Sequence, residues 1–268
     1  MANTKVLYVS QEIDPYLPES EISKLSRRLA QGVVESGREI RTFMPRFGSV
    51  NERRNQLHEV IRLSGQNIVI DDTDHPILIK VASIQAARMQ IYFIDNEDLF
   101  QRKGVTRDPE TGKEFEDNDE RAIFFARGVW ETVKKLRWTP DVIHLHGWFT
   151  MMMPIYMKLL SKRDPYYAQA KVVVSLYDEA WEGEWVNENK KIWMDGIDER
   201  GLKKINVHDY ITLMKTAIDL SDGVTICSAN ATPELVEYAK ASGKPVLELT
   251  GETPDIAAYN EFYDKIKG

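Results

Sequence analysis

Four carboxylates follow the first apolar run of the chain, in a position where α/β proteins bind ligands. Residues 5–9 are apolar and β-branched, which predicts a buried strand, and Glu12, Asp14, Glu19 and Glu21 come soon after it. A helix begins next, and the free N–H groups at such a strand–loop–helix junction attract anions. The loop, however, contains no glycine, lysine or arginine with which to hold a phosphate. The sequence therefore predicts a ligand-binding position whose charge would repel a diphosphate.

Two histidines, His144 and His146, end a second apolar run. Residues two apart on a strand point to the same side, so the pair has the geometry for a metal site. No third ligand stands at a suitable spacing, and we predict no metal. Two interpretations remain open: the rings pack at the strand end and hydrogen-bond to neighbouring loops, or they contact a ligand.

A long acidic segment, residues 177–201, carries tryptophans that could stack on sugar rings: Trp181, Trp185 and Trp193. The carboxylates beside them would accept hydrogen bonds from sugar hydroxyls; they are Glu179, Glu182 and Glu184. The other interpretation is a loop that is anchored by the packing of its own aromatic rings.

Composition and charge narrow the classes of function. The 268 residues carry a net charge of −7, with a pI of about 5.4, which argues against broad binding to nucleic acid or to anionic membranes. No apolar stretch approaches the roughly 18 residues of a membrane span, and the N-terminus has no signal-peptide pattern. The single cysteine, Cys227, excludes an internal disulfide, and its apolar surroundings favour a buried, inert thiol over a reactive one. We therefore expect a cytoplasmic protein.

Apolar periodicity predicts the elements that position these groups. A helix begins after Ser20 as N-cap and ends before Gly37. Its apolar face is formed by residues at helical spacing, namely Ile22, Leu25, Leu29 and Val33. Further apolar runs predict strands within residues 38–45, 141–145, 171–176, 223–227 and 245–249.

Strands that alternate with helices are typical of a doubly wound, mainly parallel α/β sheet. We expect one domain over residues 1–268. The short, closely spaced β-like runs within residues 57–96 predict a β-rich insert, and residues 255–266 predict a C-terminal helix.

The segment from residue 9 to residue 48, VSQEIDPYLPESEISKLSRRLAQGVVESGREIRTFMPRFG, resembles the opening of bacterial glycogen synthases and plant starch synthases, glycosyltransferase family 5. Glu12 and Pro15 match the family's Glu-x-x-Pro. Residues 18–22 fall on its Lys-Thr-Gly-Gly-Leu, which holds ADP-glucose, and only the last position stays similar. The resemblance implies the first, Rossmann-like half of a GT-B fold, with Ser20 and Glu21 standing where the family binds its nucleotide-sugar.

Two later segments carry the same resemblance. Residues 140–149 are similar to the family's Pro-Asp-Val-Val-His-x-His-Asp-Trp-His and keep both histidines and Trp148. Residues 171–183 are similar to its Thr-Val-His-Asn strand end, where Tyr177 stands for the His that contacts the reacting sugar and Asp178 for the Asn. Because the reference pKa of Tyr is near 10, Tyr177 is a poor substitute, and we assign no catalytic residue with confidence.

Asp117, Asn118 and Arg121 match the family's Asp-Asn-x-x-Arg at a helix start, and residues 221–228 match a later strand, so the resemblance covers about residues 5–240. The candidate ligand-binding residues are Glu12, Ser20, Glu21, Asp117, Asn118, His144, His146, Trp148, Asp178 and Trp181.

In the family, catalysis occurs between two nucleotide-binding-type domains, and the second domain supplies cations to the phosphates. This chain resembles the first domain alone. We therefore expect a non-catalytic or degenerate relative without a cofactor, acting as a binding, regulatory or assembly module. The alternative is a glycosyltransferase that works only with a partner chain or with a changed donor.

The loops expected at the carboxyl edge of the sheet carry large apolar side chains: Tyr16, Leu17, Trp148, Phe149, Trp181, Trp185 and Trp193. Such a load of apolar groups is typical of an interaction surface. The loops either fold over and bury these rings within the monomer or contact a second copy or another protein. Carbohydrate remains a candidate ligand of the same edge, whereas nucleic acid and membrane partners are not expected.

Overall fold

A computed structural model describes residues 4–160, 164–251 and 253–268. The one-domain prediction also includes residues 1–3, 161–163 and 252, which lie outside the described residues. The strands in chain order are β1 Lys5–Ser10, β2 Glu39–Pro45, β3 His58–Glu59, β4 Asn67–Ile70, β5 Thr73–Pro76, β6 Leu78–Ile84, β7 Met89–Asp95, β8 Val142–His146, β9 Lys171–Leu176, β10 Gly223–Ile226 and β11 Val246–Glu248. The α-helices are α1 Glu21–Glu35, α2 Glu97–Phe100, α3 Asn118–Lys135, α4 Met152–Leu160, α5 Glu188–Ile192, α6 Glu199–Leu202, α7 Tyr210–Leu220, α8 Pro233–Ala241 and α9 Ile256–Lys267.

The described strands form one large sheet and a separate hairpin. The order in the large sheet is β11-β10-β9-β8-β1-β2-β7-β6-β3. β1 lies near its centre and pairs in parallel with β2 and β8, with Val6 opposite Val142 in the second pair. Only β6 runs against the other strands of this sheet, and it pairs antiparallel with both β7 and β3. The predicted doubly wound, mainly parallel α/β fold is confirmed.

The β-rich stretch within residues 57–96 has two parts. β4 and β5 form the separate hairpin, whereas β7 pairs in parallel with β2 and β6 pairs with β7. β6 and β7 therefore extend the main sheet at one side. Close spacing in sequence correctly indicated antiparallel neighbours, but it carried no information on which of them joins the central strands.

α1 starts and ends where its sequence signals predict. Ser20 is the N-cap: its Oγ accepts a hydrogen bond from the Ser23 N–H at 3.0 Å, and the Ser20 N–H donates to Ser23 Oγ at 2.8 Å. Gly37 follows the helix with φ of 93°, a left-handed conformation that glycine adopts without strain. The predicted apolar face of α1 is buried.

The helices cover both faces of the sheet. Phe93 of β7 contacts the ring of Tyr16, just before α1. Its neighbour Ile94 lies against Gly128 of α3, so closely that a Cβ on Gly128 would come within 2.7 Å of it. Because successive residues of a strand point to opposite faces, α1 and α3 lie on opposite sides. α9 packs beside α1, and α4 packs between α3 and α7. No helix among the described residues is long and apolar enough to cross a bilayer.

Candidate functional site

A cavity of about 450 Å³ opens at the carboxyl edge of the central strands, between the loop before α1 and the loops after β8 and β9. We call it the edge cleft. It brings together six of the residues singled out from the sequence: Glu12, Ser20, Glu21, Trp148, Tyr177 and Asp178. These residues are spread over more than 160 positions of the chain, and the parallel pairing of β1, β8 and β9 puts them side by side.

The loop before α1 is tied to itself and to the end of β8. Ser20 Oγ donates a hydrogen bond to Glu12 Oε2 at 2.6 Å, and Gln11 Nε2 donates to Glu12 Oε1 at 3.3 Å. The Gln11 side chain accepts from the Phe149 N–H at 3.1 Å, and its N–H donates to the His146 carbonyl at 2.8 Å. The amino end of α1 is thus capped by its own Ser20, with the Glu12 carboxylate beside it.

Glu179 adds a fourth acidic side chain to the edge cleft. Its two carboxyl oxygens accept from the Trp148 N–H at 3.1 and 3.2 Å. Burial raises the pKa of Glu179 to about 8, and the negative charge of Glu12 adds to the shift. This carboxyl group is therefore largely protonated at neutral pH. Sequence reasoning placed Glu179 only among the neighbours of the tryptophans.

Positive charge in the edge cleft comes from Arg107. Its Nε donates to Glu114 Oε1 at 2.6 Å, and its Nη2 donates to the Ala180 carbonyl at 3.2 Å. The cation is therefore already paired with a carboxylate, and the cleft remains acidic around it.

His144 and His146 lie under the edge cleft and are fully buried. His146 Nδ1 is 2.7 Å from the Tyr177 hydroxyl, and burial lowers the pKa of His146 to about 3. Burial lowers the pKa of His144 as well, with His146 adding to the effect. Both rings are neutral at physiological pH, and among the described residues no group of three His, Cys, Asp or Glu side chains could hold a metal.

His144 belongs to a buried polar network that sequence reasoning missed. Tyr263 of α9 places its hydroxyl 2.7 Å from His144 Nδ1 and 3.0 Å from the Tyr8 hydroxyl. His144 Nε2 lies 2.8 Å from Ser175 Oγ, which also accepts from Thr225 Oγ1 at 2.8 Å. The signal was present in the sequence: four apolar strand segments each carry polar residues two positions apart, Tyr8 and Ser10, His144 and His146, Ser175 and Tyr177, Thr225 and Cys227.

Replacing Tyr263 with phenylalanine should lower the free energy of unfolding by about 1–3 kcal/mol, because it leaves two buried groups, His144 Nδ1 and the Tyr8 hydroxyl, without their partner. Urea unfolding followed by circular dichroism measures the loss. Tyr166→Phe is the control, since the Tyr166 side chain is half-buried and its hydroxyl has no hydrogen bond to a described residue. Equal losses in the two variants would show that the network adds no stability.

Beside the edge cleft lies a smaller cavity of about 190 Å³, which we call the aromatic pocket. The rings of Trp181 and Trp185 stack in it, with centroids 5.0 Å apart and planes at 12°, and Trp148 lies 5.6 Å from Trp181. Carboxylates surround the rings: Glu114, Glu116, Glu182 and Glu184. Trp181 Nε1 is buried and donates to no described residue. Aromatic faces beside acceptor oxygens suit a sugar ring.

Trp193 does not join this group, so the predicted cluster of three tryptophans is wrong in one member. α5 lies between Trp185 and Trp193 and carries Trp193 to a different cavity, where 46% of its surface is exposed. Trp148, which the sequence also placed at the carboxyl edge, takes the third place in the aromatic pocket.

The Asp117, Asn118 and Arg121 motif is occupied by contacts within the chain. Asp117 accepts from Arg102 Nη2 at 2.5 and 2.7 Å. Asn118 also lines the aromatic pocket, but its side chain donates to the Thr106 carbonyl at 2.8 Å and accepts from Arg121 Nη1 at 2.7 Å. The motif thus holds the loop before α3 in place.

The apolar residues of the carboxyl edge fold over within the monomer. Five of the seven are buried: Tyr16, Leu17, Trp148, Phe149 and Trp181. Trp185 is half-buried and Trp193 is exposed. Burial inside the chain therefore accounts for most of this apolar surface. Cys227 is buried as expected.

Comparison with known proteins gives consistent matches. Residues 5–247 match the family model described as the starch synthase catalytic domain. The glycogen synthase of Chlorobaculum parvum is 30% identical over 240 residues, which are 90% of this chain and 49% of that protein. The glycogen synthase of Chlorobium chlorochromatii is 30% identical over 273 residues, or 98% of this chain and 55% of that protein. The chain thus spans about half the length of these curated relatives.

A solved structure matches the fold. The catalytic domain of starch synthase IV from Arabidopsis thaliana, in complex with ADP and acarbose, superposes with a TM-score of 0.71 and 16% sequence identity over 92% of this chain and 51% of that one. At this identity the likeness concerns the fold, a GT-B-like α/β arrangement. Since the family model covers nearly the whole chain, the protein belongs to the starch synthase catalytic domain family, glycosyltransferase family 5.

Proposed function

We propose that this domain is a non-catalytic member of its family that binds an uncharged glucan rather than a nucleotide-sugar. The observation that carries the proposal is the acidic lining of the edge cleft. Glu12, Glu21, Asp178 and Glu179 surround the position where the family resemblance puts the donor phosphates, and the cation Arg107 is paired with Glu114.

Charge makes this cleft a poor site for ADP-glucose. A diphosphate needs donors and cations, and each charge-assisted hydrogen bond to it is worth about 1.5–3 kcal/mol. In this cleft the Ser20 hydroxyl is engaged by Glu12. The carboxylates of Glu12, Glu21 and Asp178 repel an anion, whereas Glu179, largely protonated at neutral pH, contributes little charge. Loss of several such contacts removes most of the affinity that a nucleotide-sugar site requires.

The aromatic pocket supports binding of glucan. Sugar rings present C–H faces that pack on indole rings, and their hydroxyls donate to carboxylates such as Glu182 and Glu184. Relatives of this chain are named glycogen synthase, and the Arabidopsis structure was solved with both ADP and acarbose. A glucan is the ligand class that the pocket favours, and the name of these relatives agrees with it.

Calorimetry with maltoheptaose and ADP-glucose tests the proposal. We expect maltoheptaose to bind and ADP-glucose to show no dissociation constant in the low micromolar range. Trp185→Ala should weaken maltoheptaose binding about 2- to 10-fold, the value of one aromatic contact of 0.5–1.5 kcal/mol. Trp193→Ala is the matched control and should leave it unchanged. Low-micromolar ADP-glucose binding, or equal glucan affinity in wild type and Trp185→Ala, would count against the proposal.

The alternative is glycosyl transfer with a partner chain or a changed donor, and membership of a glycosyltransferase family favours it. Incubation of the chain with glycogen and a panel of nucleotide-sugars, followed by detection of released nucleotide, separates the two. Release from any donor would support the alternative. A variant that carries Pro18→Lys, Ser20→Gly and Glu21→Gly should gain nucleotide affinity if the loop chemistry alone excludes the donor.

A further inference from the structure

A cavity of about 680 Å³ lies away from the carboxyl edge and shares no lining residue with the edge cleft or the aromatic pocket. We call it the hairpin pocket, because it lies between the β4–β5 hairpin, the middle of α3 and the segment around α5 and α6. Its apolar lining is formed by Val69, Trp193, Met194 and Leu202, and Arg127 of α3 also lines it. Cavities of this size with mainly apolar walls and a few polar groups are typical small-molecule sites.

The apolar wall of the hairpin pocket is open to solvent. Val69 and Trp193 each expose 46% of their surface, although both side chains are large and hydrophobic. Leu202 lies next to them and is buried. Three separate elements therefore present apolar groups to one concavity, and no described residue covers it. When an apolar group displaces water from such a surface, the free energy falls, so binding there is favourable.

Arg127 places a positive charge at one side of this pocket. Its side chain is nine-tenths buried, and Nη1 donates to the Val69 carbonyl. Among the described residues no carboxylate lies within 4 Å of its guanidinium. Glu131, one turn along α3, contacts Lys134 instead at 3.4 Å. Burial lowers the pKa of Arg127, and the nearby Tyr156 and Glu131 offset this only in part. An anion that contacts the guanidinium directly would therefore stabilise its charged form.

The acidic groups at the same pocket are otherwise engaged or exposed. Asp71 and Asp72 form the turn of the hairpin, both with positive φ, and both contact Lys190. Asp195 and Glu199 are exposed at the rim, where water and salt screen their charges. Among the charged residues that line the pocket, Arg127 is therefore the most buried.

We propose that the hairpin pocket binds a small amphipathic anion, a monocarboxylate whose aliphatic or aromatic body packs on Val69, Trp193 and Leu202 while the carboxylate pairs with Arg127. A cation would be repelled by the guanidinium. A neutral glucan would leave this buried charge uncompensated and would meet an apolar wall. The site is independent of the glucan proposed for the aromatic pocket.

Calorimetry with decanoate, decanol and maltoheptaose on the full chain tests this site. Decanoate should bind with a dissociation constant below millimolar, and decanol should bind at least about tenfold more weakly, because it lacks the charge-assisted bond. Arg127→Gln should weaken the binding of decanoate by a similar factor and leave the binding of decanol unchanged. Equal affinities for decanoate and decanol would overturn the proposal, as would an absence of decanoate binding.

A pair of variants at Val69 keeps the test decisive if Arg127→Gln fails to fold. Val69 is exposed, so Val69→Lys and Val69→Glu should both fold and should remove the same apolar contact. Val69→Lys should bind decanoate several-fold more tightly than Val69→Glu, whereas decanol should not distinguish them. Maltoheptaose binding that is lost in Trp193→Ala but kept in Trp185→Ala would instead identify a glucan site and overturn the assignment.

Discussion

Replacing Arg121 with methionine should lower the free energy of unfolding by at least about 3 kcal/mol. The Arg121 side chain is fully buried and donates to the Leu99 and Val105 carbonyls and to Asn118 Oδ1, at 2.8, 2.9 and 2.7 Å. Methionine fills most of the space but leaves these acceptors unpaired, at about 1–3 kcal/mol each.

Aromatic contacts add to the loss. The guanidinium carbon of Arg121 lies 5.0–5.6 Å from the ring centroids of four phenylalanines, Phe47, Phe100, Phe115 and Phe149. In a desolvated site such cation–π contacts are worth up to about 2 kcal/mol. Burial lowers the pKa of Arg121 to about 9, so the side chain remains charged at neutral pH and keeps these contacts.

Chemical denaturation at pH 7 measures the effect of Arg121→Met. Arg102→Met is the matched control, because Arg102 also contacts the Phe115 ring and pairs with Asp117 but is 40% exposed. The control should cost less than about 1 kcal/mol, as exposed ion pairs do. If Arg121→Met is no more destabilised than Arg102→Met, the motif does not hold the loop before α3 in place.

Glu179→Gln should raise the unfolding free energy above that of wild type at pH 8.5 and change this free energy little at pH 5. Burial raises the pKa of Glu179 to about 8 from its ordinary value of 4.5. Between these two values the folded protein keeps a proton that the unfolded chain releases. The unfolding free energy of wild type therefore falls as pH rises through this window. Glutamine does not ionise, so the variant does not share this loss.

The full rise of this pKa would correspond to about 5 kcal/mol of unfolding free energy. Because Glu179 is partly exposed, we expect Glu179→Gln to exceed wild type by about 1–3 kcal/mol at pH 8.5. Urea unfolding of both proteins at pH 5, 7 and 8.5 measures it. Glu182→Gln, at an exposed neighbour, should show no such trend. A difference between wild type and Glu179→Gln that stays constant with pH would mean that Glu179 is ionised in the folded protein.

Local signals in the sequence were sufficient to predict α1 and the parallel core. Ser20 caps its helix because a short hydroxyl side chain satisfies a free N–H, and this depends on residues only three positions apart. The buried face of α1 follows from helical spacing alone. The alternation of strands and helices predicted a parallel sheet, and β1 indeed pairs in parallel with β8, with Val6 opposite Val142.

The contents of the candidate site depend on long-range packing, which the sequence pattern does not encode. Trp181, Trp185 and Trp193 look equivalent along the chain, and only the path of α5 separates the third from the others. Glu179 is one of several acidic residues in its segment, and its raised pKa arises from burial and from the charge of Glu12, although the hydrogen bond from the Trp148 N–H lowers it. The partner of His144, Tyr263, comes 119 positions later and could not be inferred from the strand that carries His144.

The hydrogen bond between Tyr8 and Tyr263 has a consequence for how this protein forms in the cell. The two residues are 255 positions apart, and β1 cannot complete its polar contacts until α9 has left the ribosome. At roughly 5–20 residues per second, that interval is on the order of 10–50 s. During translation the nascent β1 and β8 therefore present Tyr8 and His144 without their native partner. Chaperones that recognise incomplete sheets have this interval in which to act.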